Sequence, residues 1–193
     1  VPQLVSHLHL PVQSGSNEIL TKMKRNYSRE EYIEIINRLL KVRPNIKISS
    51  DFIVGFPNES DFDFQQTMDL IEKIRFDASF SFIYSARPGT PASQLEDSVK
   101  LETKKERLYI LQKRIDELQL NYSNDLVGTI QRCLVTGISK KDINQLQART
   151  ECNRVVNFDF QNINILGKLV DIDITKAYQR SLTGKILNSN GVS

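Results

Sequence analysis

The sequence predicts an α/β chain in two parts, a barrel-like parallel core followed by a small β-barrel. Three observations carry that expectation. Up to about residue 125 the apolar pattern alternates strand, helix, strand, helix, strand, which implies right-handed crossovers and a parallel sheet. Beyond Gly128 the apolar period switches to two, in several short strands with turn residues between them. Two polar loops, His9-Leu10-Pro11-Val12-Gln13-Ser14-Gly15-Ser16 and Gly55-Phe56-Pro57-Asn58-Glu59-Ser60, each sit where a buried strand gives way to a helix. That junction is where parallel sheets bind ligands.

Taken in order, Leu4 to Val12 reads as a strand entering the first loop. Ser28-Arg29-Glu30-Glu31 is a capping box, and the helix it opens carries Ile33, Ile36, Leu39 and Leu40 on one stripe until Pro44-Asn45. Ile46 to Val54 is the next strand, and Ser60 caps a helix with Phe64, Met68, Ile71 and Ile74 turned inward. Ala78 to Tyr84 is a third strand, and Ser85 to Pro91 a stiff third loop. Thr103-Lys104-Lys105-Glu106 reads as another capping box, opening a long helix with Leu108, Leu111, Ile115, Leu118 and Tyr122 on its apolar face. The strand-like runs beyond it are Ile130 with Leu134 and Val135, Val155 with Val156, Val170 to Ile174, and Leu182 to Ile186.

Composition excludes several classes. Of 193 residues, 39% are hydrophobic and 25% charged, as in an ordinary globular protein. No apolar run approaches a membrane span, and the amino terminus lacks a signal-peptide pattern, so no membrane partner and a cytoplasmic location are expected. The chain starts at Val1 and opens almost directly into strand-like sequence, which suggests a piece of a longer protein. Two cysteines, Cys133 and Cys152, are too few and too far apart for a zinc or iron–sulfur site; buried reduced thiols are the plain expectation. Charge is uneven: residues 1–125 hold 17 Lys+Arg against 18 Asp+Glu (−1) and residues 126–193 hold 9 against 5 (+4), which sum to the overall +3. A basic carboxyl-terminal module points to an anionic partner, nucleic acid included, and a merely solvated basic face stays open beside it.

The first loop offers an amide, two hydroxyls and a glycine, suited to the polar end of a nucleotide-like ligand or simply to capping the next helix. Gly55 removes a side chain at a strand exit, so an adenine ring could lie against backbone there; a tight strand-to-helix connection is the alternative, with Asp51 then a core carboxylate. Arg87 brings a guanidinium to the same rim, suited to carboxylate or phosphate, or simply topping the sheet. His7 and His9 share a strand face without a third metal ligand nearby, and a structural role is expected. Asp61 with Asp63, and Asp171 with Asp173, are assigned to a helix start and a wet strand face rather than to catalysis.

His9-Leu10-Pro11-Val12-Gln13-Ser14-Gly15-Ser16, Ser50-Asp51-Phe52-Ile53-Val54-Gly55-Phe56-Pro57, Tyr84-Ser85-Ala86-Arg87-Pro88-Gly89-Thr90-Pro91 and Arg149-Thr150-Glu151-Cys152-Asn153-Arg154-Val155-Val156-Asn157-Phe158 together resemble the tRNA methylthiotransferases of the MiaB type. The resemblance implies a radical S-adenosylmethionine (SAM) enzyme that adds a methylthio group to isopentenyl-adenosine next to the tRNA anticodon. It implies that residues 1–124 form the later half of a partial TIM-like barrel and residues 125–188 an antiparallel, OB-like TRAM domain, with a tail at 189–193. By the same resemblance Gln13, Ser14, Asp51, Ile53 and Arg87 are cofactor-binding, and Arg149, Arg154 and Phe158 contact RNA. The implied partners are a tRNA anticodon stem-loop and an amino-terminal half of the enzyme. That half would carry the cysteines of the iron–sulfur clusters; without them no residue here is assigned a catalytic role, and the chain alone is expected to be inactive. Asn58 stands where the family usually has Gly, and Asn tolerates the positive φ such a turn needs. The alternatives are a stand-alone TRAM-type RNA-binding protein, or a related enzyme acting on threonylcarbamoyl-adenosine or a ribosomal protein.

Overall fold

The computed structural model describes residues 5–140, 142–159 and 163–187. The chain divides into two compact units, one of Leu8–Leu118 and one of Gln119–Ser193 with the amino-terminal residues through His7.

The first unit is a three-stranded sheet, β1 (His7–His9), β2 (Lys47–Val54) and β3 (Ala78–Ile83), in that spatial order, with β2 and β3 parallel. Its helices are α1 (Asn17–Lys22), α2 (Arg29–Val42), α3 (Asp61–Ile74) and the first part of α4 (Leu101–Asn124). The core gathers Val12, Ile36, Phe52, Val54, Leu70, Ile71, Phe76, Leu111 and Leu118. Among the described residues β1 is shorter than the sequence suggests; the expected start at Leu4 lies outside them. Pro11 has no N–H to give the ladder, and Val12 N–H donates to the Ser50 hydroxyl instead (2.9 Å), so pairing resumes only as a single bridge between Gln13 and Phe52.

Both expected helix starts at Ser28 and Ser60 form full capping boxes, with Glu31 and Asp63 as their return partners. The third does not: α4 begins at Leu101, two residues before Thr103, which therefore lies inside the helix. Gly15 lies so close to α3 that an added Cβ would meet Gln66 O and Thr67 Cα at 2.5 Å, and its N–H donates to Thr67 Oγ1 (2.9 Å). Only glycine permits that approach.

The second unit is a closed five-stranded barrel in the order β4 (Ile130–Ile138), β5 (Gln145–Thr150), β6 (Val155–Asp159), β8 (Ser181–Ile186), β7 (Leu169–Tyr178). Its pairs are antiparallel except β6 with β8, which is parallel, so the expectation of an antiparallel barrel holds for four of five seams. Cys133, Val135, Leu146, Val156, Phe158, Ile172, Ile174 and Leu182 fill it. Sequence reading misses β5, whose inward positions, Leu146, Ala148 and Thr150, include a small and a polar residue.

Candidate functional site

The carboxyl ends of β2 and β3 open onto a cavity of about 630 Å³, a volume suited to a nucleoside-sized ligand. Gln13 is held there at φ 73° by two main-chain bonds, its N–H to Asp51 O and its O from Ile53 N–H, both 2.9 Å. Ile53, Phe56, Phe82 and Tyr84 line the apolar part; Arg87, Lys22, Lys24 and Arg25 bring positive charge to the same space. The Tyr84 hydroxyl is buried with no hydrogen-bond partner among the described residues, an unmet donor and acceptor in a site wall.

Of the five expected cofactor residues, Gln13, Ile53 and Arg87 line this cavity and two do not. Ser14 is fully buried beneath the loop, its hydroxyl accepting from Ser16 N–H (3.2 Å) and 3.4 Å from Thr67 Oγ1. Its side chain braces the loop against α3. Asp51 lies two residues down β2 and pairs with His9, whose Nε2 is 3.3 Å from Asp51 Oδ1 while Nδ1 is 3.0 Å from Ser49 Oγ. The structural role expected for His9 is what these contacts describe. Lys22, Lys24, Arg25 and Tyr84 escape the sequence reading. The run Lys22-Met23-Lys24-Arg25 at the end of α1 is a signal that could have found the three cations.

A buried charge network braces the Gly55 turn. Gly55, at φ 67°, donates its N–H to Glu59 Oε2 (2.7 Å), and Arg107 Nη1 donates to the same oxygen (2.7 Å) and to Glu59 O (3.0 Å). Arg107 Nη2 reaches Asp61 Oδ1 at 2.6 Å. Burial pushes the Glu59 carboxyl above the usual range, against the opposing pull of Gly55 N–H and Arg107. The Lys104 stem fills the space a Cβ on Gly55 would need, 2.3 Å from Cγ. Asn58 takes φ 62°, the left-handed turn expected of it.

Asp63 ties the first loop to α3, accepting from Ser16 Oγ (2.5 Å) and Ser60 Oγ (2.6 Å). Burial alone would raise its carboxyl, but the bonds from Ser16 and Ser60, with Lys22 nearby, outweigh it and hold the group low. A carboxylate lowered on folding stabilises above its unfolded pKa and loses that contribution as pH falls through the folded value. Asp63→Asn should therefore flatten the acid side of the stability profile between about pH 4 and pH 2, checked by urea midpoints across that range; an unaltered profile refutes the assignment.

On the barrel, Arg149 is exposed and its Nη1 donates to Asn153 O (3.0 Å) and Oδ1 (2.8 Å). The other two expected RNA residues are corrected by their surroundings. Arg154 is buried, with Nε donating to Ser123 Oγ (3.1 Å) and Nη2 to Gln119 O (3.4 Å), so it joins strand to helix. Phe158 is fully buried, paired in register with Leu146, and cannot offer a face to a base. Asp171 pairs with Arg132 on the outer surface (3.1 Å).

Two family models match the chain, the Radical SAM superfamily over residues 2–71 and the TRAM domain over 125–187. The second span takes in the closed barrel. The tRNA-2-methylthio-N(6)-dimethylallyladenosine synthase of Hahella chejuensis is 58% identical over 98% of this chain and 42% of its own length. Those of Histophilus somni and Alcanivorax borkumensis are each 58% identical, over 97% and 95% of this chain and 40% and 41% of theirs. In sequence, the chain is similar to these synthases. It spans about two fifths of the length of these relatives. A solved structure of coproporphyrinogen III oxidase from Escherichia coli, titled a radical SAM enzyme, aligns at TM-score 0.47 and 16% identity, covering 76% of this chain and 41% of that one. That likeness is too slight to carry an argument. Among the described residues, no helix is long and apolar enough to cross a membrane.

The radical SAM match raises the question of which groups this chain can hold. Its cysteines do not fit an iron–sulfur cluster, which needs several thiolates together. Cys133 lies in the barrel core, where burial, with Cys152 and Asp171 nearby, pushes its thiol up to about 12. Cys152 is half-buried with Thr150 Oγ1 at 3.2 Å. The cavity fits a nucleoside ligand better, with its apolar wall and its cations.

Proposed function

We propose that the first unit is the later part of a partial TIM-like radical SAM barrel, and that its cavity holds SAM. Gln13 and Ile53 would lie along the nucleoside, and the cations, with Arg87 and Arg25 foremost, would hold its carboxylate. Ser14 and Asp51 would act by shaping the loops. Bound SAM supplies the reactive sulfonium; the cluster that cleaves it would belong to a segment outside these 193 residues. The second unit, reckoned from about residue 125 to 188, would hold a tRNA anticodon stem-loop, and the reaction would be methylthio transfer to its isopentenyl-adenosine; the expected tail at 189–193 lies outside the described residues. The chain alone would not catalyse it. One observation carries the reading, a nucleoside-sized cavity with cationic rim at the strand ends in a chain this similar to tRNA methylthiotransferases.

Titration of the chain with S-adenosylhomocysteine should give saturable binding by calorimetry. Arg25→Ala and Arg87→Ala should each weaken it about tenfold or more, the usual cost of losing a charge-assisted contact. Absence of saturable binding, or variants that bind as wild type does, would sink the cavity assignment.

A further inference from the structure

We infer that the barrel's RNA contact lies on the β7–β8 hairpin, on a platform of Tyr178 flanked by Lys176, Arg180 and Lys185. The inference deepens the proposal that this unit binds RNA and rests on it. Of the two cations expected to serve, Arg154 is buried under α4 and Arg149 is exposed with its Nη1 bonded to Asn153, while Arg132 is paired with Asp171. The expected aromatic, Phe158, is in the core. The hairpin supplies both missing elements in one place.

Its register explains how. Ile172, Ile174, Leu182 and Gly184 point into the barrel, and a bulge between Ile174 and Lys176 resets the alternation. After the reset, Lys176 pairs with Thr183 and Tyr178 with Ser181, while Lys185 pairs with Asp173 further down the ladder. Lys176, Tyr178, Arg180 and Lys185 are all exposed, Tyr178 at 46%. From Thr175 to Lys185 the hairpin has three cations and no acidic residue. Among the described residues none of these cations is in an ion pair; Lys176 Nζ instead sits 4.9 Å from the Tyr178 ring centroid.

An exposed ring held beside an ammonium presents a flat face for a base and a charge for the phosphate next to it. A base must be unstacked to use that face, so the fitting partner is single-stranded or looped RNA rather than a continuous duplex. Asp173 pairs with Lys185, at the far end of the ladder from Tyr178 and Ser181.

The test measures binding of the full chain to an unmodified tRNA transcript and to a fully paired RNA duplex of equal length, across a salt series. Wild type should prefer the tRNA. Tyr178→Ala should lower affinity about tenfold with little change in salt slope, and Tyr178→Phe should restore it. Lys176→Gln, Arg180→Gln and Lys185→Gln combined should reduce the slope by about 2. Circular dichroism of each variant confirms the barrel, and these positions are exposed, so loss of binding cannot be loss of fold. Wild-type binding that all the hairpin variants retain, while Arg149→Ala loses it, overturns the hairpin and keeps the RNA reading. A wild-type chain with no salt-dependent affinity for either RNA overturns both. Equal affinity for duplex and tRNA overturns the stacking role of Tyr178.

Discussion

Arg107→Met should unlock the Gly55 turn and destabilise the sheet unit by about 3–5 kcal/mol at neutral pH, the usual cost of stripping the partner from a buried ion. Methionine fills much of the space of the arginine stem, so the loss reports charge rather than a hole. What remains is Glu59, at 4% exposure, with only Gly55 N–H among the described residues to satisfy an ionised carboxylate. Its folded pKa already stands above the ordinary value because of burial, and removal of the guanidinium drives it higher. A carboxyl raised on folding contributes stability below its unfolded pKa and loses it as pH rises through the folded one. The variant should therefore approach wild type in acid and diverge towards neutral pH. Adding Glu59→Gln, which keeps an acceptor for Gly55 N–H and discards the charge, should recover more than half of the loss. Hydrogen exchange at the Gly55 amide follows the turn directly. If Glu59→Gln gives no recovery in the Arg107→Met background, the buried charge is not what holds the turn.

The legibility of this chain follows what each signal depends on. The boxes at Ser28 and Ser60 were readable because a cap is a contract among four consecutive residues, satisfied locally. Thr103 obeyed the same pattern and failed, since a helix can start earlier whenever the residues before it tolerate helical φ and ψ. The ligand loops were readable as loops, yet their side chains were not: one step along the chain separates Gln13, which lines the cavity, from Ser14, which is buried. The Arg107–Glu59 pair joins residues 48 apart and leaves no local trace. β5 was hidden because its inward row, Leu146, Ala148 and Thr150, follows one large apolar residue with a small and a polar one, which breaks the period-two apolar signal. An aromatic beside arginines reads equally as a stacking platform or as core, and only closure of the barrel decides between them.

Phe158 is where that decision can be tested. Phe158→Ala should cost about 3–5 kcal/mol, the loss expected for emptying a fully buried aromatic site. A unit of this size has a total stability on the order of 5 kcal/mol, so the barrel should be largely unfolded or close to it at physiological temperature. The cavity cannot collapse easily, because Leu146, Val156 and Leu182 around it belong to strands fixed by a closed hydrogen-bond ladder. Exchange protection should be lost together across β4 to β8 while the amides of β2 and β3 stay protected, since the sheet unit has its own core. Phe158→Leu, which keeps most of the volume and abolishes the ring, separates packing from stacking. It should retain the fold and bind a tRNA transcript within about twofold of wild type, the ring having no part in a base contact worth about 1–3 kcal/mol. A Phe158→Leu chain that is folded but has lost its RNA affinity would return this residue to the interface and overturn the core assignment.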